Sequence, residues 1–216
     1  LRASLAAAAP LITGPRYNIA PGTEVAAITT DREGSPRGEL LRWGLVPAWA
    51  REPKLGVKMI NARAETLGER PAYRGALKRL RCLIPADGFY EWQARPGARK
   101  QPFHITRANG EAFAFAGLWS IWHGGQDDEL RTLTIITTAA NDRMARVHAR
   151  MPVILEPAAE ALWLDPATDP GALQGLLHGL DAEDTRLRAV GTAVNNARYD
   201  GPDCLADPAT LFPSGR

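Results

Sequence analysis

Short runs of β-branched and aromatic residues recur along almost the whole chain, each closed off by Gly, Pro, Asn or Asp. They predict strands over 25–30, 39–46, 81–92, 102–107, 112–122, 131–140, 152–155 and 189–194. Helical patterning is confined to brief stretches at 3–9, 73–80, 142–147, 157–164 and 171–180. The stretch at 157–164 opens with Pro157, which suits a first helical turn. Strands that outnumber helices and do not alternate with long ones exclude a doubly wound parallel sheet. The expected fold is α+β, with mixed or antiparallel sheets. Asn109-Gly110 lies between two of the strand runs and predicts a hairpin there. Segments 95–99 and 124–129 read as surface loops. No repeat or long linker divides the 216 residues, so 1–216 reads as one domain, and 45% hydrophobic content suffices for a sizeable core.

Several function classes have no support. Cys82 and Cys204 are too few for a disulfide scaffold and form no CxxC pair. Cys82 sits in an apolar run and reads as a core residue; Cys204 follows Gly-Pro-Asp and reads as a partly exposed turn residue. The histidines at 104, 123, 148 and 178 lack metal-ligand spacing, and no GxGxxG, P-loop or GxSxG occurs. No cofactor or metal is expected. No apolar run reaches the roughly 18 residues a membrane span needs. The stretch 5–12 has only Arg2 ahead of it and Pro10 within it, and reads as an amphipathic helix rather than a signal peptide. A cytoplasmic protein is expected.

The net charge of +2 hides an uneven distribution. From Arg42 to Lys100 there are thirteen Lys or Arg against five Asp or Glu; from Val153 to Arg216 there are four against ten. A basic middle of this kind predicts a surface that faces a polyanion.

Three segments place polar residues inside apolar sequence: 60–66 (Ile-Asn-Ala-Arg-Ala-Glu-Thr), 85–92 (Pro-Ala-Asp-Gly-Phe-Tyr-Glu-Trp) and 148–153 (His-Ala-Arg-Met-Pro-Val). Glu91, between Tyr90 and Trp92, is either a strand residue facing water or a desolvated carboxylate with a raised pKa, suited to proton transfer. Asn61 is a turn residue, a cap or a polar site group. His148 lies between Arg146 and Arg150, whose charge favours a neutral imidazole able to act as a base.

These segments, together with 16–22 (Arg-Tyr-Asn-Ile-Ala-Pro-Gly), 43–49 (Trp-Gly-Leu-Val-Pro-Ala-Trp), 82–92 and Thr137-Thr138-Ala139-Ala140, resemble the SOS-response-associated peptidase family of abasic-site-crosslinking proteins. The motifs span most of the chain in the family's order. The resemblance implies one domain with a twisted, barrel-like β core and short peripheral helices. It implies a monomer with a groove for single-stranded DNA that captures an abasic site covalently. The family's nucleophile is the cysteine of a Cys-Gly-Arg start, freed by autopeptidase removal of the initiator Met. Its amine condenses with the sugar aldehyde and its thiol closes a thiazolidine. By the same resemblance Asn61 orients nucleophile and substrate, Glu91 shuttles protons, and His148 assists the chemistry and its reversal. Arg63 and Arg150 contact phosphate, Trp49 wedges or stacks at a DNA bend, Thr137 offers a backbone contact, and Asn18 joins the DNA-binding set. No cysteine precedes Cys82 and the sequence opens on Leu1, so the expectation is that roughly 15–20 family residues, the cysteine included, lie ahead of it. Without them the chain would act as a non-catalytic DNA-binding module. A thiol peptidase is the further alternative.

Overall fold

The computed structural model describes residues 3–124 and 129–208. In chain order the strands are β1 (Glu24–Thr30), β2 (Pro36–Trp43), β3 (Asn61–Arg63), β4 (Arg81–Ala86), β5 (Phe89–Gln93), β6 (Gln101–Arg107), β7 (Phe113–His123), β8 (Glu129–Ala139), β9 (Arg150–Pro152), β10 (Ile154–Leu155) and β11 (Thr185–Ala189). The α-helices are α1 (Pro71–Arg79), α2 (Pro157–Leu164) and α3 (Pro170–Gln174). Short 3₁₀ turns fill several connections.

Five strands close on themselves. β1 pairs antiparallel with β2, β2 runs parallel to β8, β8 pairs antiparallel with β7, β7 with β4, and β4 returns to β1 through Ile28 and Leu83. Closure gives each of these strands a partner on both sides. Gly117 of β7 permits it: a Cβ there would sit 2.9 Å from Cys82 Sγ and 3.0 Å from Thr134 O. One side of all five strands contributes to a single apolar cluster, the barrel interior, with Val25, Leu41, Cys82, Phe115, Trp119 and Leu133 among its members. The opposite side, with Ile28, Leu83, Ala116 and Ile136, packs under Tyr73 and Ala76 of α1 and Trp163 of α2. The expected α+β fold with a barrel-like β core and short helices is what the chain forms.

Beyond the ring, the far end of β8 gains two short partners. β3 lies parallel to it over Ile135–Thr137, and β9 antiparallel over Thr137–Ala139. A second sheet, in the order β11, β6, β5, is separate from the barrel.

Several local expectations change here. The run 81–92 is two strands in two sheets, parted at Asp87-Gly88. A Cβ on Gly88 would run into the His104 ring, so the chain turns closely over β6 at this glycine. Asn109-Gly110 does turn, with Gly110 at φ +72° and the Asn109 side chain accepting the Glu111 N–H. It does not make a hairpin, because β6 joins the small sheet and β7 the barrel. The strand expected at 189–194 lies earlier, as β11, and 192–195 is a 3₁₀ turn. Residues 142–147 and 171–180 supply only the turn Met144–Arg146 and the short α3. The N-terminal stretch is a 3₁₀ helix, Ala3–Leu11, burying Leu5 and Ala8. Cys204 is buried rather than partly exposed, covered by the Val190 and Val194 cluster. Of the loop at 124–129, residues 125–128 lie outside the described residues. Among the described residues no helix is long and apolar enough to cross a membrane.

One cation of the basic middle belongs to the fold. Arg81 is buried, and its guanidinium donates to Leu77 O and Lys78 O at the end of α1 and to Trp163 O and Asp165 O at the end of α2. It satisfies carbonyls that two helix ends would otherwise leave unpaired. The other twelve cations between Arg42 and Lys100 are exposed.

Candidate active site and nucleic-acid face

β3 and β8 begin the site. Ala62 is buried, so Asn61 and Arg63 point to the other side of β3, both exposed. Arg63 lies in register with Thr137. Thr137 is buried, and its carbonyl faces β9, where it accepts from Arg150 at 2.6 Å.

The second part comes from the small sheet. Glu91 on β5 is 27% exposed at its side chain, and its Oε1 lies 3.7 Å from His148 Nδ1. Burial pushes the Glu91 carboxyl above its ordinary range, against the opposing pull of His148 and the Trp92 backbone N–H. His148 Nδ1 lies 3.2 Å from the Arg150 N–H, which donates to it, and 3.1 Å from Arg150 O. Nδ1 accepts the Arg150 N–H or donates to Arg150 O according to its tautomer, and the Glu91 carboxylate stands just beyond hydrogen-bond distance of the same nitrogen. Of the two arginines expected beside His148, Arg150 does not face it. The Arg150 guanidinium is turned to Glu65, and the carboxylate of Glu91 stands beside the ring instead.

Four hydrogen bonds hold this pair in place. Gln93 Nε2 donates to Arg146 O at 2.7 Å, joining the end of β5 to the turn that leads into His148. Asn141 Oδ1 accepts the Met144 N–H and starts that turn. On either side of Glu91, the Tyr90 hydroxyl donates to Tyr17 O and the Trp92 indole to Asn195 Oδ1. Sequence reasoning missed Gln93, Tyr17, Asn141 and Asn195. Only Asn141, just ahead of a short helical stretch, carried a capping signal.

Trp49 is 62% exposed, on a turn whose Ala50 carbonyl is held by the Trp122 indole N–H at 2.7 Å. Nearby Pro21, Arg42, Trp43, Lys54, Val57 and Ile60 line a cavity of about 200 Å³. Its wall includes Gly44 and Gly56, whose backbones touch; Gly44 has φ +130°, and a Cβ on it would lie 2.8 Å from Gly56 O. Ile60, one of its lining residues, immediately precedes Asn61 in the chain.

Asn18 stands apart from the other candidates. It is buried, and its amide nitrogen faces the carbonyls of Val194, Asn196 and Tyr199 at 3.0–3.2 Å. Its donors are thereby spent on the fold. Among the described residues no group of three His, Cys, Asp or Glu is placed to hold a metal.

A family model described as SOS response associated peptidase (SRAP) matches residues 3–197. The chain belongs to this family. Among SRAP relatives, the abasic site processing protein YoqW of Bacillus subtilis is 45% identical over 192 residues, 88% of this chain and 85% of that protein. The abasic site processing protein HMCES of Xenopus tropicalis is 34% identical over 226 residues, 89% and 66% of the two chains. A crystal structure of a phage-related protein from Bordetella bronchiseptica shares the fold with a TM-score of 0.71 and 31% identity, covering 91% of this chain and 92% of that one. A protein from Bacteroides thetaiotaomicron does so at 0.77 and 26% identity, covering 86% and 82%.

Proposed function

We propose that this SRAP protein processes abasic sites in single-stranded DNA, binding the strand on the face of Arg42, Lys54, Trp49 and Arg63 and capturing the sugar at Asn61, Glu91 and His148. The Glu91–His148 pair carries the reading. A half-buried carboxyl with a raised pKa, 3.7 Å from an imidazole nitrogen, suits acid–base work. The relatives' names support the substrate class.

In the reaction that the family implies, the α-amine of an N-terminal cysteine bonds to C1 of the ring-opened sugar. The carbinolamine hydroxyl takes a proton from Glu91 and leaves as water. The thiol then adds across the C=N bond, closing a thiazolidine. An α-amine has an ordinary pKa of about 7.7–8.0, so a useful fraction is nucleophilic at neutral pH without the large shift a lysine needs. His148 exchanges protons with Glu91, and Asn61 orients the reacting groups. The autopeptidase step that frees the cysteine calls on the same groups. Cys82 and Cys204 are unsuited as nucleophiles: both are buried, and burial pushes both thiols up.

Exposed arginines and an exposed indole favour phosphate and a base face, not a base sequence. The test uses protein extended ahead of residue 1 by a family N-terminal segment of about 15–20 residues that begins Cys-Gly-Arg. It is incubated with a single-stranded oligonucleotide carrying one abasic site and run on a denaturing gel. A heat-stable shifted band is expected. No band from protein whose terminal cysteine is verified by mass spectrometry overturns the covalent reading.

A further inference from the structure

Arg150 and Glu65 form a close ion pair. Nη1 of Arg150 donates to Glu65 Oε1 at 2.6 Å and Nη2 to Oε2 at 2.9 Å, a two-pronged arrangement. Nη2 also donates to Thr137 O at 2.6 Å and lies 3.3 Å from Thr137 Oγ1. The two partners are unequally fixed. The Arg150 side chain is 23% exposed and is also tied to the Thr137 carbonyl; the Glu65 side chain is 50% exposed. Glu65 follows Arg63 by two residues, and Arg63 also acts on it electrostatically.

We infer that Glu65 holds on Arg150 the place a DNA phosphate takes, and so sets how tightly and how salt-dependently this face binds single strands. The inference rests on the DNA reading above. A carboxylate and a phosphate offer a guanidinium the same pair of anionic oxygens at matching spacing. The arginine is anchored by a backbone carbonyl and remains aimed when the carboxylate leaves. The carboxylate is on a half-exposed side chain, so water can solvate it once it leaves the arginine. Glu65 thus weakens DNA binding twice: it neutralises one phosphate ligand, and as an anion it repels the incoming strand.

The test measures binding of the 216-residue chain to a fluorescein-labelled oligothymidylate of about ten nucleotides, within the usual single-strand site size, across a series of salt concentrations. The oligonucleotide has no abasic site, so chemistry plays no part. Glu65→Gln is expected to tighten binding about three- to tenfold at low salt, the effect of removing one charge near 4 Å in water-like surroundings. The slope of log K against log salt should steepen by about 0.7, the value for one further phosphate neutralised on a single strand. The gain should vanish in Glu65→Gln combined with Arg150→Gln. Glu65→Ala serves as a second variant, and thermal melting checks that each is folded. Unchanged or weaker binding by folded Glu65→Gln and Glu65→Ala overturns the inference, leaving Glu65 as a brace for Arg150. If the parent chain binds and the variants gain nothing, only the inference falls. If neither parent nor variants bind, the DNA reading falls with it.

Discussion

The Glu91 carboxylate faces the His148 imidazole at 3.7 Å across two segments that share no strand pairing. Glu91 is fixed by β5 and its pairing with β6; His148 follows a 3₁₀ turn between β8 and β9. The Gln93 side chain, reaching Arg146 O, links the two. The distance is therefore a product of tertiary assembly.

Glu91→Gln should slow covalent capture about 10²- to 10⁴-fold, the usual weight of a general acid–base group, while leaving DNA affinity unchanged. The parent rate should fall on both sides of an optimum. It falls at low pH as the attacking amine becomes protonated. It falls as pH rises through the raised Glu91 pKa, because the proton donor is lost. In Glu91→Gln the alkaline limb due to this carboxyl should disappear. Single-turnover capture on denaturing gels across a pH series measures both.

Arg63→Ala and Trp49→Ala should separate the two modes of strand binding. Arg63 is exposed, and losing a phosphate contact should lower the salt slope by about 0.7 without a sequence preference. Trp49→Ala should cost about 1–3 kcal/mol of affinity per stacked base and leave the salt slope alone. The indole is 62% exposed, so the melting temperature should not move. Fluorescence anisotropy titrations at several salt concentrations report the difference.

Asp200 pins the chain that leads into β1. Its Oδ1 accepts the backbone N–H groups of Tyr17 and Asn18, and its Oδ2 accepts from Arg16. Burial pulls its carboxyl up, but the hydrogen bonds from Asn18, Arg16 and Tyr17 outweigh that and hold it below the usual range. The folded pKa therefore lies below the unfolded one. The contribution is present above the unfolded value and is lost as pH falls through the folded one. Asp200→Ala should cost about 1–2 kcal/mol, limited by solvent screening of a partly exposed group. The parent should also lose more stability than the variant on acidification through this range. Urea titrations at neutral and acid pH measure this.

Arg81→Met should destabilise by about 2–4 kcal/mol without altering the DNA face. It removes donors from four carbonyls at the ends of α1 and α2, one of these bonds buried and three partly buried. A lowered melting temperature with unchanged affinity for single strands is the expected result.

Much of the architecture was legible locally. The limits of α2, the strands β6 to β8, the Asn109-Gly110 turn and the buried Cys82 all follow from hydrophobic pattern and turn chemistry. The candidate site residues were singled out by resemblance, since Glu91, Asn61 and His148 each had an ordinary structural reading as well. Partners were not legible. Pattern did not show that Arg150 would turn to Glu65, that Asn18 would spend its amide on three carbonyls, or that Cys204 would be covered.

The sequence by itself determined where the chain turns and which faces of its strands are apolar, because both depend on residues within a few positions of one another. Tertiary structure decided which strands meet. It sent β4 into the barrel and β5 into a second sheet at Gly88, and it sent β6 and β7 apart on either side of a well-formed turn. Those choices depend on closing a ring of strands and on the space beside one glycine. The same non-local pairing brings Glu91 to His148 and gives Arg150 a carboxylate partner.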